Sequence, residues 1–153
     1  MKYLFNSLFI FILVLTFQTK TVNAETVAKT DTVKVTIEGN DQMKYNLSEI
    51  KVKAGSVVVL TLNHVGKLPK VAMGHNWILL KSGTVVKDFA MAALSAKESD
   101  YIPKSDAIIT YTKLLGGGES DTIIFKAPAK GSYDFICSFP GHYAMMSGKF
   151  IVE

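Results

Sequence analysis

Arginine is absent from this 153-residue sequence, so lysine alone carries its permanent positive charge. Arginine supplies the bidentate contacts to phosphates and bases on which most nucleic-acid-binding surfaces depend. The net charge of +4 includes Lys2 and Lys20, which precede the predicted start of the mature chain. The remaining net charge of +2 is too small to favour nucleic acid as a partner.

Long hydrophobic runs are also scarce, and the one extended run lies at the N-terminus, from Leu4 to Phe17. It follows a lysine and is shorter than the ~20 apolar residues that a membrane-spanning helix needs. Small side chains at positions 22 and 24 suit cleavage before Glu25. Residues 1–24 are therefore predicted to be a secretory signal peptide, with a retained anchor as the less favoured alternative. Export to the periplasm and no membrane attachment after cleavage follow from this prediction.

Cysteine occurs once, as Cys137. A lone cysteine excludes an internal disulfide, and an exposed free thiol in an oxidising compartment would be open to oxidation. One explanation is a buried, inert cysteine that packs as a small apolar residue. The residues that follow Cys137 favour another, a metal ligand.

Short β-rich segments separated by turn residues make up most of the mature chain. They predict one all-β domain over residues 32–153, an antiparallel sandwich or barrel with Greek-key connections, after a flexible lead over residues 25–31. The apolar segment from Val57 to Leu62 is predicted to be a strand that is buried on both faces. The eight or so predicted strands cover residues 33–37, 50–53, 57–62, 76–80, 108–112, 122–126, 133–137 and 149–152.

Two segments depart from the β pattern. Residues 85–97 are rich in Ala, Met and Leu and predict a helix of two or three turns that packs on the flank of the sandwich as a flap. Gly116-Gly117-Gly118 lacks the lysine and the strand-to-helix context of a phosphate-binding loop, so it predicts a hairpin turn.

The ten residues that begin at Cys137 contain three side chains that bind copper well. Cys137 offers a thiolate, His142 an imidazole and Met146 a thioether. Between them, Pro140 fixes one backbone torsion and Gly141 permits the left-handed region, which favours a rigid turn that returns His142 towards Cys137. The loop is therefore predicted to hold its ligands in place without metal.

A second imidazole is available upstream at His75, at the start of a predicted strand. Gly74 would let a backbone carbonyl approach a metal closely, and Asn76 can donate a hydrogen bond to the thiolate. Two His, one Cys and a weak axial Met are the ligand set of a blue-copper electron-transfer site. The sequence therefore predicts one such site per chain.

Other interpretations of the same residues stay open at this point. Cys137 and His142 could form the thiolate and base of a nucleophilic enzyme, although no third orienting group or oxyanion hole is evident. A copper carrier or chaperone is the main alternative function, Zn(II) could occupy the same ligands, and a purely structural sandwich is the simplest alternative.

Five motifs along the chain carry a family resemblance: Gly39-Asn40-Asp41-Gln42-Met43, Leu68-Pro69-Lys70, Met73-Gly74-His75-Asn76-Trp77, Thr112-Lys113-Leu114 and the loop from Cys137 to Met146. Together they resemble azurin, a small type 1 blue copper protein of the cupredoxin family, from about Thr32 to Val152. The resemblance implies a cupredoxin Greek-key β-sandwich with a helical flap. It also implies electron transport without enzymatic activity.

The resemblance further assigns roles around the metal. It implies that His75, Cys137 and His142 are the strong ligands, Met146 the long axial ligand and the Gly74 carbonyl a weak opposite contact. It places His64, Asn76 and Phe139 near the metal but not on it. Redox proteins such as c-type cytochromes or copper or haem reductases are the implied partners, with electrons passing through His142. The implied partner surface, called here the apolar patch, comprises Met43, Leu68, Met73, Phe139, Pro140 and Met145.

One departure from azurins concerns the stability of the fold. Azurins tie their first strands together with a disulfide, and this chain has no second cysteine to form one. Loss of such a bridge typically costs ~2–5 kcal/mol of stability and leaves the metal ligands in place.

Overall fold

The computed structural model describes residues 31–153, which form a sandwich of two β-sheets. The predicted signal peptide over residues 1–24 and nearly all of the predicted lead over 25–31 lie outside the described residues. No helix within the described range is long and apolar enough to cross a membrane.

Nine strands and two short helices make up the described domain. The strands are β1 (Thr32–Asn40), β2 (Lys44–Tyr45), β3 (Glu49–Val52), β4 (Val57–His64), β5 (Ile78–Leu80), β6 (Ile108–Tyr111), β7 (Ser120–Lys126), β8 (Gly131–Ile136) and β9 (Ser147–Val152). The helices are α1 (Lys70–Met73) and α2 (Val86–Ala93), and single 3₁₀ turns cover Lys97–Ser99 and His142–Ala144.

The two sheets have the orders β2-β1-β4-β7 and β3-β9-β8-β5-β6. Most neighbouring strands are antiparallel, as predicted, but β1 pairs with β4 and β3 pairs with β9 in parallel. Long connections that cross between the sheets produce these parallel pairs. The all-β sandwich predicted from the sequence is therefore confirmed, with mixed rather than purely antiparallel sheets.

The core lies between the sheets and is rich in aromatic residues. Trp77, Phe135 and Phe150 are fully buried, and their rings pack against one another, with centroids 5.6 Å apart for Trp77 and Phe135. Leu60 and Leu62 of β4 close this core from the opposite sheet. Leu79 of β5 and Phe135 of β8 belong to this core, so it fixes the strands next to the predicted ligands His75 and Cys137.

Two predictions about individual segments are wrong. Val58, Leu60, Leu62 and His64 of β4 are buried and the residues between them are only partly buried, because one face of this strand packs on the core and the other does not. Gly116-Gly117-Gly118 does not form a hairpin, since the flanking strands β6 and β7 belong to different sheets. The glycines instead lie in a crossover between the sheets, with a turn in which the Glu119 N–H donates to the Gly116 carbonyl at 3.1 Å.

The helical flap lies where the sequence predicts a helix, but it is shorter. Helix α2 ends at Ala93. The N–H of the next residue, Leu94, donates to the Met91 carbonyl, which is three residues back instead of the four of an α-helix. Phe89 and Ala90 of this helix pack on Ile78 and its neighbours, on the outer side of the five-stranded sheet. The flap therefore covers β5 and β8, the strands next to the predicted ligands His75 and Cys137.

Candidate metal centre

Three buried side chains, His75, Cys137 and His142, bring their ligand atoms within 4.8 Å of one another. The Cys137 Sγ lies 3.7 Å from the His142 Nδ1. His75 precedes β5, Cys137 follows β8 and His142 opens the 3₁₀ turn before β9. One thiol and two imidazoles converging at one buried point match the donor set that copper prefers.

The loop after β8 is fixed by its own backbone hydrogen bonds. The Cys137 N–H donates to the Met146 carbonyl at 2.9 Å, and the Met146 N–H donates to the His142 carbonyl at 2.8 Å. Gly141 has φ of 81°, in the left-handed region, and the His142 N–H closes the turn on the Phe139 carbonyl at 3.0 Å. Glycine takes this conformation without strain, so the turn returns His142 to Cys137.

His75 presents one ring nitrogen to the site and anchors the other. Its Nε2 lies 2.9 Å from the Asn40 carbonyl, which can only accept, so this nitrogen carries the proton. Its Nδ1 is buried and has no hydrogen-bond partner among residues 31–153. A buried polar atom left unpaired is costly, and a metal ion bound at its lone pair would satisfy it.

Burial controls the protonation of all three ligands. Burial lowers the pKa of His142 to about 4 and also lowers the pKa of His75, so both imidazoles are neutral near pH 7. Burial raises the pKa of the Cys137 thiol to about 12, against the opposing effect of two backbone N–H groups. The imidazoles are therefore ready to bind metal, whereas the thiol must lose a proton.

This difference predicts the number of protons that copper binding releases. Near pH 7 the two imidazoles have no proton to lose, and Cys137 has one. We expect Cu(II) binding to release about one proton per chain, measured by calorimetry in buffers of different ionisation enthalpy. Release should rise above one below about pH 5, where His142 begins to protonate. Release near zero or near two at pH 7 would contradict these protonation states.

Backbone groups surround the Cys137 sulfur. The N–H groups of Asn76 and Phe139 donate to it, and the Gly74 carbonyl lies 3.8 Å away. The Asn76 side chain binds Ser138: its Oδ1 accepts from the Ser138 N–H and its Nδ2 donates to the Ser138 Oγ, each at 2.9 Å. Because Asn76 follows His75 and Ser138 follows Cys137, these bonds tie together the segments that carry the two ligands.

Met146 is fully buried at the same site. A Cβ on Gly39 would lie 3.2 Å from the Met146 Cε and 2.9 Å from the His75 Cδ2, so the thioether and the imidazole meet at this glycine. The absence of a side chain at Gly39 leaves room for both.

His64 stacks on His75, with ring centroids 4.2 Å apart and planes 17° from parallel. Its Nε2 donates to the Met73 carbonyl at 2.7 Å, and its Nδ1 accepts from the Gly66 N–H at 3.1 Å. Both ring nitrogens are therefore engaged, and neither is free for a metal. His64 supports the ring of His75 from behind.

All six residues of the apolar patch reach the surface, and none is fully buried. Met145 is 56% exposed, whereas the Phe139 ring is half-buried and packs 4.7 Å from the His142 ring. Val71 is 88% exposed and lines a depression together with Phe139, although the predicted patch does not include it. Val71 could not be identified from the sequence, because helix α1 is too short to show an apolar periodicity.

Two further residues of the site were missed. Ser138 bonds to Asn76, and the hydroxyl of Tyr45 donates to the Asn76 carbonyl. Tyr45 lies in the two-residue strand β2, which is too short for an alternating pattern. Neither contact leaves a signal in the sequence, because both depend on how distant segments pack.

Comparison with protein families identifies a match to copper binding proteins of the plastocyanin/azurin family, over residues 31–153. Azurin from Achromobacter denitrificans is 46% identical over 121 residues, covering 74% of this chain and 79% of that protein. Azurin from Pseudomonas chlororaphis is 38% identical over 125 residues, covering 78% and 98%.

Solved structures give the same result. Auracyanin A, described as a "blue" copper protein from Chloroflexus aurantiacus, matches with a TM-score of 0.73 and 33% identity, over 80% of this chain and 99% of that one. An azurin from Methylomonas sp. strain J matches with a TM-score of 0.69 and 33% identity, over 78% and 97%. With His75, Cys137 and His142 converging as copper ligands, the chain belongs to the plastocyanin/azurin family of copper-binding proteins.

Proposed function

We propose that this protein is a periplasmic carrier of single electrons that cycles one type 1 copper between Cu(II) and Cu(I). The observation that carries the proposal is the buried group of His75, Cys137 and His142, whose donor atoms lie within 4.8 Å of one another. A bound copper ion supplies the one-electron redox step. The protein supplies the ligands, their fixed positions and a path to the surface.

Five groups would hold the metal. The Nδ1 atoms of His75 and His142 and the thiolate of Cys137 would be the strong ligands, and the Met146 thioether and the Gly74 carbonyl would be the weak ones. Support comes from the unpaired Nδ1 of His75 and from the burial of Met146 beside it. Soft sulfur with imidazole nitrogen suits both oxidation states of copper.

Rigidity of the ligand set favours fast electron transfer. His75 is anchored through Nε2 to Asn40, and the loop that carries His142 is closed by backbone hydrogen bonds. Ligands that are held in this way move little when the charge on the metal changes. A small rearrangement lowers the barrier to gaining or losing an electron.

His142 is the proposed route for electrons, because the residue is 3% exposed and its ring adjoins Phe139 in the apolar patch. Docking of a redox partner on this patch would bring its centre close to the ligand ring. Redox proteins such as c-type cytochromes or copper or haem reductases are the proposed partner class. The predicted signal peptide, residues 1–24, would place the protein in the periplasm with them.

Protonation of the site argues against the nucleophilic enzyme. Such an enzyme needs a thiol of lowered pKa beside a basic imidazole. Here burial raises the pKa of Cys137 to about 12 and lowers that of His142 to about 4, which is the opposite combination. The copper carrier is also disfavoured, since a carrier needs exposed, exchangeable ligands and these three are buried.

The docking surface can be tested by adding charge to it. Met145→Lys places an exposed cation in the apolar patch, and during self-exchange the patches of two copies face each other. We expect the electron self-exchange rate, measured by NMR line broadening, to fall by about tenfold or more at low ionic strength and to recover partly with salt.

Ile124→Lys is the matched control. Ile124 is 69% exposed on β7, a strand that contributes no residue to the site. This variant should keep the rate of the unmodified protein. Equal rates for both variants would show that electrons do not leave through the apolar patch.

A further inference from the structure

The hydroxyl of Tyr45 makes a hydrogen bond that crosses the sandwich. Tyr45 lies on β2 in the four-stranded sheet, and it donates to the carbonyl of Asn76, which lies just before β5 of the five-stranded sheet. The phenol is held protonated, because burial, with a smaller effect of Cys137, raises its pKa. The bond therefore persists across the working pH range.

Asn76 is the residue through which this bond reaches the metal site. Its backbone N–H donates to the Cys137 sulfur, its side chain binds Ser138, and it directly follows the ligand His75. Tyr45 thus holds the carbonyl of the same residue whose N–H donates to the thiolate. A shift of Asn76 would lengthen the N–H···S bond.

We propose that Tyr45 is a positioning residue that fixes the Asn76 N–H on the Cys137 sulfur and thereby raises the reduction potential of the copper site. This inference rests on the proposed function. An N–H bond to the thiolate withdraws electron density from sulfur, which makes it a weaker donor to Cu(II) and favours the reduced state. Weakening that bond lowers the potential.

Tyr45→Phe isolates the hydroxyl, because it keeps the ring that packs 5.8 Å from Phe135. A matched control exists in Tyr133→Phe. The Tyr133 hydroxyl also donates to a backbone carbonyl, that of Ala129, at 2.7 Å, but this bond lies at the start of β8 and has no contact with the ligands. Both variants should lower the unfolding temperature by comparable amounts.

Only Tyr45→Phe should alter the metal site. We expect its equilibrium constant for reduction, from a spectroelectrochemical titration, to fall about threefold to tenfold, the size of one hydrogen bond. Tyr133→Phe should leave it unchanged. In the copper-free protein, exchange of the Asn76 amide proton, followed by NMR, should be several times faster in Tyr45→Phe alone.

The outcomes separate this proposal from the function on which it rests. A red absorption band in both variants with an unchanged potential in Tyr45→Phe would overturn the role of Tyr45 alone. Equal shifts in the two variants would also overturn it, since they would indicate a general loss of stability. Absence of the band from the copper-loaded unmodified protein would overturn the proposed function and, with it, this inference.

Discussion

Replacement of Cys137 by serine is expected to abolish the red absorption band of the Cu(II)-loaded protein completely. The band arises from charge transfer between the thiolate and copper, and serine supplies only a hard oxygen that stays protonated. Cys137 is the one cysteine of the chain, so no other thiolate can replace it. Absorption spectra of the two copper-loaded proteins at equal copper content measure the loss.

Met146→Leu is the matched control for this substitution. It removes the other sulfur of the same loop, yet a thioether that serves as a weak ligand would contribute little to the band, so the colour should persist with a changed potential. Circular dichroism should show an unchanged fold for both variants. A band of normal intensity in Cys137→Ser would rule out the thiolate as the copper ligand.

Removal of the Phe135 side chain is expected to destabilise the copper-free protein by about 3–5 kcal/mol. Phe135 is fully buried on β8, where its ring packs between Tyr45 and Trp77. Truncation to alanine leaves a cavity in the centre of the core. Domains of this size have about 5–15 kcal/mol of stability in total, and this one has no disulfide to supplement it.

Denaturant unfolding of the copper-free protein measures this effect. Ile124→Ala, at an exposed position on β7, should change the free energy of unfolding by less than about 0.5 kcal/mol. Copper should restore part of the stability of Phe135→Ala, because it binds the folded state in preference to the unfolded one. A loss below about 1 kcal/mol for Phe135→Ala would mean that the core is not packed as described.

Much of the fold could be predicted because most of its strands have a recognisable local sequence pattern. Alternating or continuous apolar residues marked eight of the nine strands, and helix α2 lies within the segment rich in Ala and Met. Strand β2 was missed because its two residues cannot alternate, and it exists only by pairing with Gly39 and Asn40 of β1. The parallel pairs were missed because register between distant strands depends on packing of the whole domain.

The convergence of His75, Cys137 and His142 could be predicted because copper selects residue types. The close spacing of Cys137, His142 and Met146 along the chain is enough to indicate a metal loop, and His75 completes the set. What the sequence could not reveal are contacts made by the backbone. The Asn40 carbonyl orients His75, and the Asn76 carbonyl accepts from Tyr45. Every residue has a backbone carbonyl, so these contacts do not require a particular residue type at either position.

The most direct test of the central claim is an anaerobic spectroelectrochemical titration of the copper-loaded protein. We predict an intense red absorption band that disappears on reduction, returns on oxidation and follows a one-electron curve through repeated cycles. A fully copper-loaded protein without that band, or one that loses its copper on reduction, would contradict a type 1 electron-transfer site at His75, Cys137 and His142.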